Sequence, residues 1–258
     1  MKAGTDTDAM GRGAAVVDGR DTVAVVSGYG VAAQSRPTAV LHTLFAGGLT
    51  VLGDTGNLSG IRKHRIPDAV EIGIEGVMGD DIFDRRFHGG PDRALNIFAQ
   101  EVYAHLQAVF PAPEEPWQAG GFGENFSTLG LLDAEVRIGD VYRTGGVIWQ
   151  VSQPRSPCWK LNARFGIDRL SRHVQEERLT GWYARVLQPG RVQAGEPIEL
   201  LERDRDACTI AGFWNLIMSR SPDPDQLEAL GRSKPLAGEW QTKLQKRAQW
   251  LRRQAGRA

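Results

Sequence analysis

Residues Val147 to Phe165 read VIWQVSQPRSPCWKLNARF, and this stretch decides how the rest of the chain is interpreted. Its first part is rich in β-branched and aromatic residues, which favour a half-buried strand. Pro154 and Pro157 then interrupt the pattern, because proline has a fixed φ and no backbone N–H to donate. We therefore expect a strand that ends in a stiff loop, and this loop carries Cys158.

Cys158 is one of only two cysteines in the chain, and Arg155, Lys160 and Arg164 lie close to it in sequence. Nearby cations stabilise a thiolate, which is both a nucleophile and a ligand for soft metals. A free cysteine is, however, more often buried and inert. The loop by itself leaves both interpretations open.

The composition is that of a globular protein, with 41% hydrophobic and 24% charged residues in 258. Thirty-one basic residues balance 31 acidic ones, so no overall charge favours a nucleic-acid or membrane partner. A basic face on the last predicted helix could touch nucleic acid, but a solvated helix face is the commoner case. Two distant cysteines are typical of a reducing compartment, and we expect a cytoplasmic protein.

The sequence around Cys158 resembles the signature of the MOSC domain, the molybdenum cofactor sulfurase C-terminal domain. The segment SQPRSPCWKL (Ser152–Leu161) is most similar to the stand-alone bacterial YiiM-type branch of that superfamily. Four other segments resemble the branch in the same order, which is far more specific than one short motif. They are SGIRKHRI (Ser59–Ile66), GDDIFDRRFHGGPDRAL (Gly79–Leu95), GFGENFSTLGLL (Gly121–Leu132) and GWYARVLQPGRVQAGEPIEL (Gly181–Leu200).

The resemblance implies a mainly β fold with some α: a MOSC-type β-barrel domain over residues 38–204. Residues 1–37 match nothing in the family, and we expect a poorly ordered N-terminal extension there. Residues 205–258 carry three runs with helical periodicity and resemble the three-helix C-terminal module of the branch. About 50 residues rarely build a stable core alone, so we expect the module to dock on the barrel or on a second subunit of a homodimer.

The resemblance also implies a function, in which a molybdenum cofactor (molybdopterin) is bound with Cys158 as the Mo ligand. The expected activity is reduction of small N-hydroxylated compounds, including hydroxylaminopurine-type base analogues. Electrons would come from an external flavin or iron–sulfur reductase, because the chain carries no such motif. The alternative is a carrier or binding module for sulfur or the molybdenum cofactor that uses Cys158 without turnover. At superfamily level the resemblance extends more weakly to pyridoxal phosphate binding.

Two residues besides Cys158 are candidates for catalysis, because each could give a proton near the substrate oxygen. They are His88 and Lys160. A histidine before a glycine pair is more often structural, so for His88 both interpretations stand. Seven residues are candidates for holding the pterin or its phosphate, because cations and amide or hydroxyl groups bind such edges. They are Lys63, Arg93, Asn125, Ser127, Arg155, Arg164 and Arg185. For Lys63 and Arg185, a solvated surface side chain is the alternative interpretation.

Two loops carry further expectations about this site. Arg93 suits a bidentate anion clamp, with Asp92 as an alternative partner that would hold it in place. The glycine cluster at residues 120–123 could present backbone N–H groups to the cofactor phosphate, as nests do. The Glu124 that follows is interpreted as structural, because a carboxylate repels a phosphate.

Overall fold

The computed structural model describes residues 39–52, 56–81 and 89–256. These residues lie in one compact unit that spans Arg36–Ala258. The expected N-terminal extension, residues 1–37, lies outside the described residues, and so does His88.

Within these described ranges, thirteen strands form one large sheet and two small ones. In chain order they are β1 (Val40–Ala46), β2 (Thr50–Val51), β3 (Leu58–Ser59), β4 (His64–Ile66), β5 (Val70–Gly73), β6 (Gly76–Val77), β7 (Leu95–Ala99), β8 (Phe126–Leu129), β9 (Val141–Thr144), β10 (Val147–Pro154), β11 (Trp182–Gln188), β12 (Gly190–Val192) and β13 (Ile198–Glu202). The large sheet has the order β13-β9-β10-β11-β7-β8-β1-β4; among its described strands, β7 and β8 pair in parallel and the other neighbours are antiparallel. The mainly β expectation with some α is confirmed, whereas the sheet does not close into a barrel.

The sheet is not fully closed, because β1 meets the segment before β13 only through an isolated bridge between Val40 and Pro197, while β4 pairs with β1 at the other edge. Leu41 and Ala39 exchange backbone hydrogen bonds of 2.7–3.0 Å with residues 195–198. These bonds draw the two halves of the sheet together at one corner. A β-bulge between Leu41 and Thr43 bends β1 at the same place.

Strand β10 occupies the middle of the large sheet, between β9 and β11. Val147, Trp149 and Val151 are fully buried at alternate positions, which is the period-two pattern of a strand with one face in the core. The strand predicted for the first part of this stretch is therefore confirmed, and it ends at Pro154. Pro154 still lies in register with Trp182, and the chain then leaves the sheet toward Cys158.

The described residues also form six helices: α1 (Glu101–Val109), α2 (Trp159–Phe165), α3 (Leu170–Glu176), α4 (Ile210–Met218), α5 (Pro224–Gly231) and α6 (Gly238–Ala255). The sequence analysis missed α2, which begins directly after Cys158. The three C-terminal helices bury Phe213, Trp214 and Leu244 in the same hydrophobic cluster as the large sheet. The boundary between residues 204 and 205 stays a prediction.

A buried carboxylate ties these helices to the sheet. Asp133 Oδ1 accepts hydrogen bonds from the backbone N–H groups of Thr180 and Gly181, both at 2.9 Å. The Thr180 hydroxyl in turn accepts a bond from Trp214 Nε1 on α4 at 2.9 Å. The start of β11, which borders the site described below, is thereby connected to the C-terminal helices.

Candidate functional site at the Cys158 loop

A cavity of about 640 Å³, its open mouth included, lies beside the loop between β10 and α2. This volume is in the range of small-molecule and cofactor pockets. Six of the predicted site residues line it, together with Asn96 and Tyr183, which the sequence analysis did not single out. The six are Lys63, Arg93, Asn125, Arg155, Cys158 and Lys160.

Cys158 is a free cysteine on the cavity wall, half-buried at the N-terminal end of α2. The backbone N–H of Arg155 donates to the carbonyl of Gly181 at 3.0 Å, so the loop is anchored, three residues before the cysteine, to the residue that precedes β11. The sulfur is therefore not enclosed in apolar packing. A thiol at this place can meet a ligand in the cavity.

Arg155 places a buried guanidinium in the cavity wall, with the residue only 5% exposed. Its Nη2 donates to the Phe122 carbonyl at 3.0 Å, and the guanidinium lies 5.5 Å from the centre of the Phe122 ring. Its Nη1 is buried and has no hydrogen-bond partner within the described ranges. Because an unsatisfied buried donor costs about 1–3 kcal/mol, a ligand that accepts from Nη1 would recover that free energy.

Asn96 offers the opposite hydrogen-bonding group in the same wall. Its Nδ2 donates to the Gly123 carbonyl at 2.9 Å, whereas its Oδ1 is buried and lacks a partner among the described residues. Asn96 is the register partner of Tyr183 across β7 and β11, which brings the two side chains to neighbouring positions. The cavity thus presents one unpaired donor and one unpaired acceptor, both buried.

Lys63 and Asp80 form an ion pair in the wall, with both side chains less than 10% exposed. Asp80 also accepts hydrogen bonds from the Gly47 backbone at 3.0 Å and from Asn125 Nδ2 at 2.8 Å. Burial lowers the pKa of Lys63, and the Asp80 carboxylate opposes that effect. Asn125 additionally donates to the Phe45 carbonyl and accepts from the Asn96 N–H, so its amide positions its neighbours.

Arg93 lines the cavity from the short 3-10 turn at Pro91–Arg93 and pairs with Glu239 of α6 at 2.5 Å. The alternative partner suggested by the sequence, Asp92, instead binds Arg185 at 2.7 Å. Arg93 is therefore positioned by the C-terminal helix and not by its neighbour in the chain.

Tyr183 carries its ring on the wall near Arg155. Burial raises the pKa of the Tyr183 hydroxyl, and the Arg155 guanidinium opposes that shift. The phenol therefore stays protonated near neutral pH and can donate a hydrogen bond.

Three predicted cofactor contacts lie away from this cavity, because their side chains are used elsewhere. Ser127 is fully buried and donates to Gln100 Oε1 at 3.1 Å. Arg164 donates to the carbonyls of Ile61 and Gly120 at 2.8 and 2.9 Å, and thereby braces two loops that flank the cavity. Arg185, besides its pair with Asp92, donates to Gln150 Oε1 at 2.8 Å.

The glycine cluster at residues 120–123 does not offer its N–H groups to a phosphate, so that expectation is wrong. The Gly120 and Phe122 N–H groups donate to the Glu124 carboxylate at 2.6 and 3.0 Å, and Gly123 donates back to the Gly120 carbonyl. Glu124 is fully buried, and burial raises its pKa while these bonds oppose the shift. Glu124 therefore anchors the loop from inside, through its hydrogen bonds to the loop backbone.

The family model of the MOSC domain matches residues 84–199. The chain is 38% identical over 197 residues to Protein YiiM of Escherichia coli K12, an alignment that covers 74% of this chain and 85% of that protein. The chain belongs to the MOSC domain family.

Two further proteins are similar to this MOSC protein. The crystal structure of YiiM from Geobacillus stearothermophilus superposes with a TM-score of 0.69 and 27% identity, covering 81% of this chain and 99% of that one. A protein of Gibberella moniliformis named "Reductase" is 34% identical over 164 residues, which cover 63% of this chain and 29% of that protein. The YiiM-like assignment suggested by the sequence is confirmed.

Within this MOSC protein, the described ranges contain no group of three or more His, Cys, Asp or Glu side chains arranged to hold a metal ion. Among the described residues that line the cavity, Cys158 supplies the sulfur atom. In the same ranges, no helix combines the length and the apolar character that crossing a bilayer demands.

Proposed function

We propose that this MOSC protein binds a molybdenum cofactor in the cavity beside Cys158 and reduces N-hydroxylated compounds, with the Cys158 thiolate as the Mo ligand. The observation that carries the proposal is a half-buried free thiol in the wall of a cavity that also holds Lys63, Arg93 and Arg155. Thiolate is a ligand that soft transition-metal sites prefer. The fungal relative named "Reductase" supports redox chemistry.

The wall fits a pterin-based group by its hydrogen bonding and charge. A pterin edge carries adjacent donors and acceptors, which suits the unpaired Arg155 Nη1 and Asn96 Oδ1. The cations at Arg93, Arg155 and Lys160 suit a phosphate. A single protein thiolate suits a metal whose remaining ligands come from an organic cofactor, rather than a bare ion.

The residues of the chain would then have distinct tasks. Arg155 and Asn96 bind the polar edge, while Asn125 and Asp80 hold Lys63 and Asn96 in position. Lys160, half-buried in the first turn of α2, holds a proton at Nζ close to the substrate oxygen. The role predicted for His88 stays a prediction. When bound, the cofactor supplies the two-electron chemistry, and an external flavin or iron–sulfur reductase supplies the electrons.

The molybdenum content of purified protein tests the metal ligand. The wild type and Cys158→Ala are produced in a host that makes the cofactor, and molybdenum is measured by mass spectrometry together with pterin fluorescence after oxidation. We expect near-stoichiometric metal in the wild type and a loss of at least about tenfold in Cys158→Ala, because the bond to the metal is removed. Cys208→Ala is the matched control, since Cys208 packs against the hydrophobic core. Equal molybdenum in wild type and Cys158→Ala would reject the proposal.

Turnover separates an enzyme from a carrier. Loaded protein is given an N-hydroxylated compound and a chemical reductant, and the deoxygenated product is measured. An enzyme releases many product molecules per Cys158, and the Cys158→Ala variant releases none. Cofactor retention with no product above the reductant-only control would favour the carrier alternative.

A further inference from the structure

An ion pair links helix α6 to the cavity beside Cys158 (the Cys158 cavity). Arg93 lines that cavity, and its Nη2 donates to Oε2 of Glu239, in the first turn of α6, at 2.5 Å. The Arg93 side chain is 14% exposed, whereas that of Glu239 is 49% exposed. The cation therefore lies inside the wall, and the carboxylate that holds it reaches in from the surface of the helix.

The backbone on both sides of this ion pair is bonded to strand β10. The Ala237 N–H, directly before α6, donates to the Ser152 carbonyl at 3.0 Å. The Ser152 hydroxyl is fully buried and donates to the Asp92 carbonyl at 2.5 Å, in the 3-10 turn that carries Arg93. Because Ser152 holds both the start of the helix and the turn, the separation of Arg93 and Glu239 depends on how α6 docks against the sheet.

The charges of this group suit an anion in the cavity. Glu239 Oε1 also accepts a hydrogen bond from Lys243 at 2.5 Å, so two cations flank one carboxylate. The hydrogen bonds from Lys243 and Arg93 lower the pKa of Glu239, which keeps its carboxylate ionised at neutral pH. A guanidinium has five N–H donors, and Glu239 accepts from Nη2. The ion pair can therefore set the orientation of Arg93 while other donors of the same guanidinium bind a ligand.

We propose that Glu239 is a positioning residue that directs the Arg93 guanidinium at an anionic group in the Cys158 cavity. Through this ion pair, binding of the anion and docking of α6 stabilise each other, and linkage makes the two effects equal in size. The anion is a phosphate or phosphate ester, because a guanidinium binds two of its oxygens at once. This coupling rests on the part of the proposed function that assigns Arg93 to a phosphate. It makes the C-terminal helices part of the site.

Calorimetric titration with inorganic phosphate tests the direct effect, on full-length protein from a host that does not make the cofactor. We expect phosphate to bind the wild type and Arg93→Met to weaken it about tenfold, because a charge-assisted hydrogen bond is lost. Glu239→Ala should weaken it about fivefold, at the low end of coupling between sites. The double variant should bind phosphate as Arg93→Met alone does, because Glu239 acts through Arg93.

Glu228→Ala is the matched control, since this glutamate forms its ion pairs with Arg232 and Arg252 on the same group of helices. It should leave the affinity for phosphate unchanged. A general loss of stability in the C-terminal helices would affect both glutamate variants, whereas loss of positioning affects only Glu239→Ala.

Amide hydrogen exchange tests the reverse effect, from the cavity to the helix. The N–H groups of Trp240 and Gln241 donate to the Ala237 carbonyl at 2.9 and 3.1 Å, so they report opening of the first turn of α6. Saturating phosphate should slow their exchange about fivefold in the wild type, by the same linkage, and should leave it unchanged in Glu239→Ala. A purely structural role of Glu239 would change the exchange rate equally with and without phosphate.

Three results would overturn the coupling: no phosphate binding to the wild type, wild-type affinity in Glu239→Ala, or a double variant that binds more weakly than Arg93→Met by the full Glu239 factor. These measurements need no molybdenum. Equal molybdenum in wild type and Cys158→Ala, with the phosphate coupling intact, would reject the proposed function and keep the coupling. Cys158-dependent molybdenum, with any of the three results above, would reject only the coupling.

Discussion

Asp133 makes the stability of this protein depend on pH in a way that can be worked out from its surroundings. The carboxyl is fully buried, and burial raises its pKa from an ordinary value of 3.8 to about 6 against the opposing hydrogen bonds from Gly181 and Thr180. The native state therefore binds the proton more tightly than the unfolded state does. Its contribution to the free energy of unfolding is fully present below pH 3.8 and is lost as the pH rises through about 6.

The size of the effect follows from the two pKa values. They differ by about two, and each pKa unit corresponds to about 1.4 kcal/mol, so the total loss is about 3 kcal/mol. About 2 kcal/mol of this lies between pH 4.5 and pH 7. The Asp133→Asn variant cannot ionise, so the stability difference between wild type and variant should change by that amount across this range, in favour of the wild type at low pH.

Urea unfolding of both proteins at pH 4.5, 5.5, 6.5 and 7 measures that difference by linear extrapolation. Any pH-independent effect of the substitution on stability cancels, because only the change of the stability difference with pH is interpreted. Asp168→Asn, at an exposed position before α3, controls for general charge effects. A difference between Asp133→Asn and wild type that stays flat from pH 4.5 to 7 would refute the reasoning.

Two further substitutions test the walls of the Cys158 cavity. Arg155→Met should lower the molybdenum content while the free energy of unfolding changes by less than about 1 kcal/mol, because an apolar side chain replaces an incompletely paired buried charge. Arg164→Met is the matched control. Urea unfolding should show that it loses about 3 kcal/mol of stability, because its hydrogen bonds to the Ile61 carbonyl and to Glu115 are broken. A large loss of stability in Arg155→Met with none in Arg164→Met would contradict both assignments. Glu124→Gln should destabilise by about 2 kcal/mol, since it turns an amide donor toward N–H groups that need an acceptor. Exposed Glu135→Gln is the control, and equal stability of the two variants would show that Glu124 does not anchor the loop.

Much of the site's framework is encoded locally and could be predicted. The alternation at Val147, Trp149 and Val151 predicts β10, and the prolines after it predict the exit from the sheet beside Cys158. Helical periodicity likewise predicts the three C-terminal helices. Element ends are less local: the Asp223 side chain caps α5, and Arg137 pairs with Thr209 through an isolated bridge. Caps and bridges depend on one or two hydrogen bonds, which a pattern of apolar residues does not encode.

The partners of the charged residues were decided by the tertiary structure alone. Among basic residues of the same type, Arg155 reaches the cavity, Arg164 braces two loops and Arg93 pairs with a helix 146 residues further along the chain. Likewise, Asn96 enters the wall of the Cys158 cavity because β7 pairs with β11. Sequence by itself determined the family, the strand and the cysteine loop, since those depend on neighbouring residues. Which side chains share a cavity was settled only when strand register and helix packing brought distant segments together, because hydrogen-bond partners are chosen in space and not along the chain.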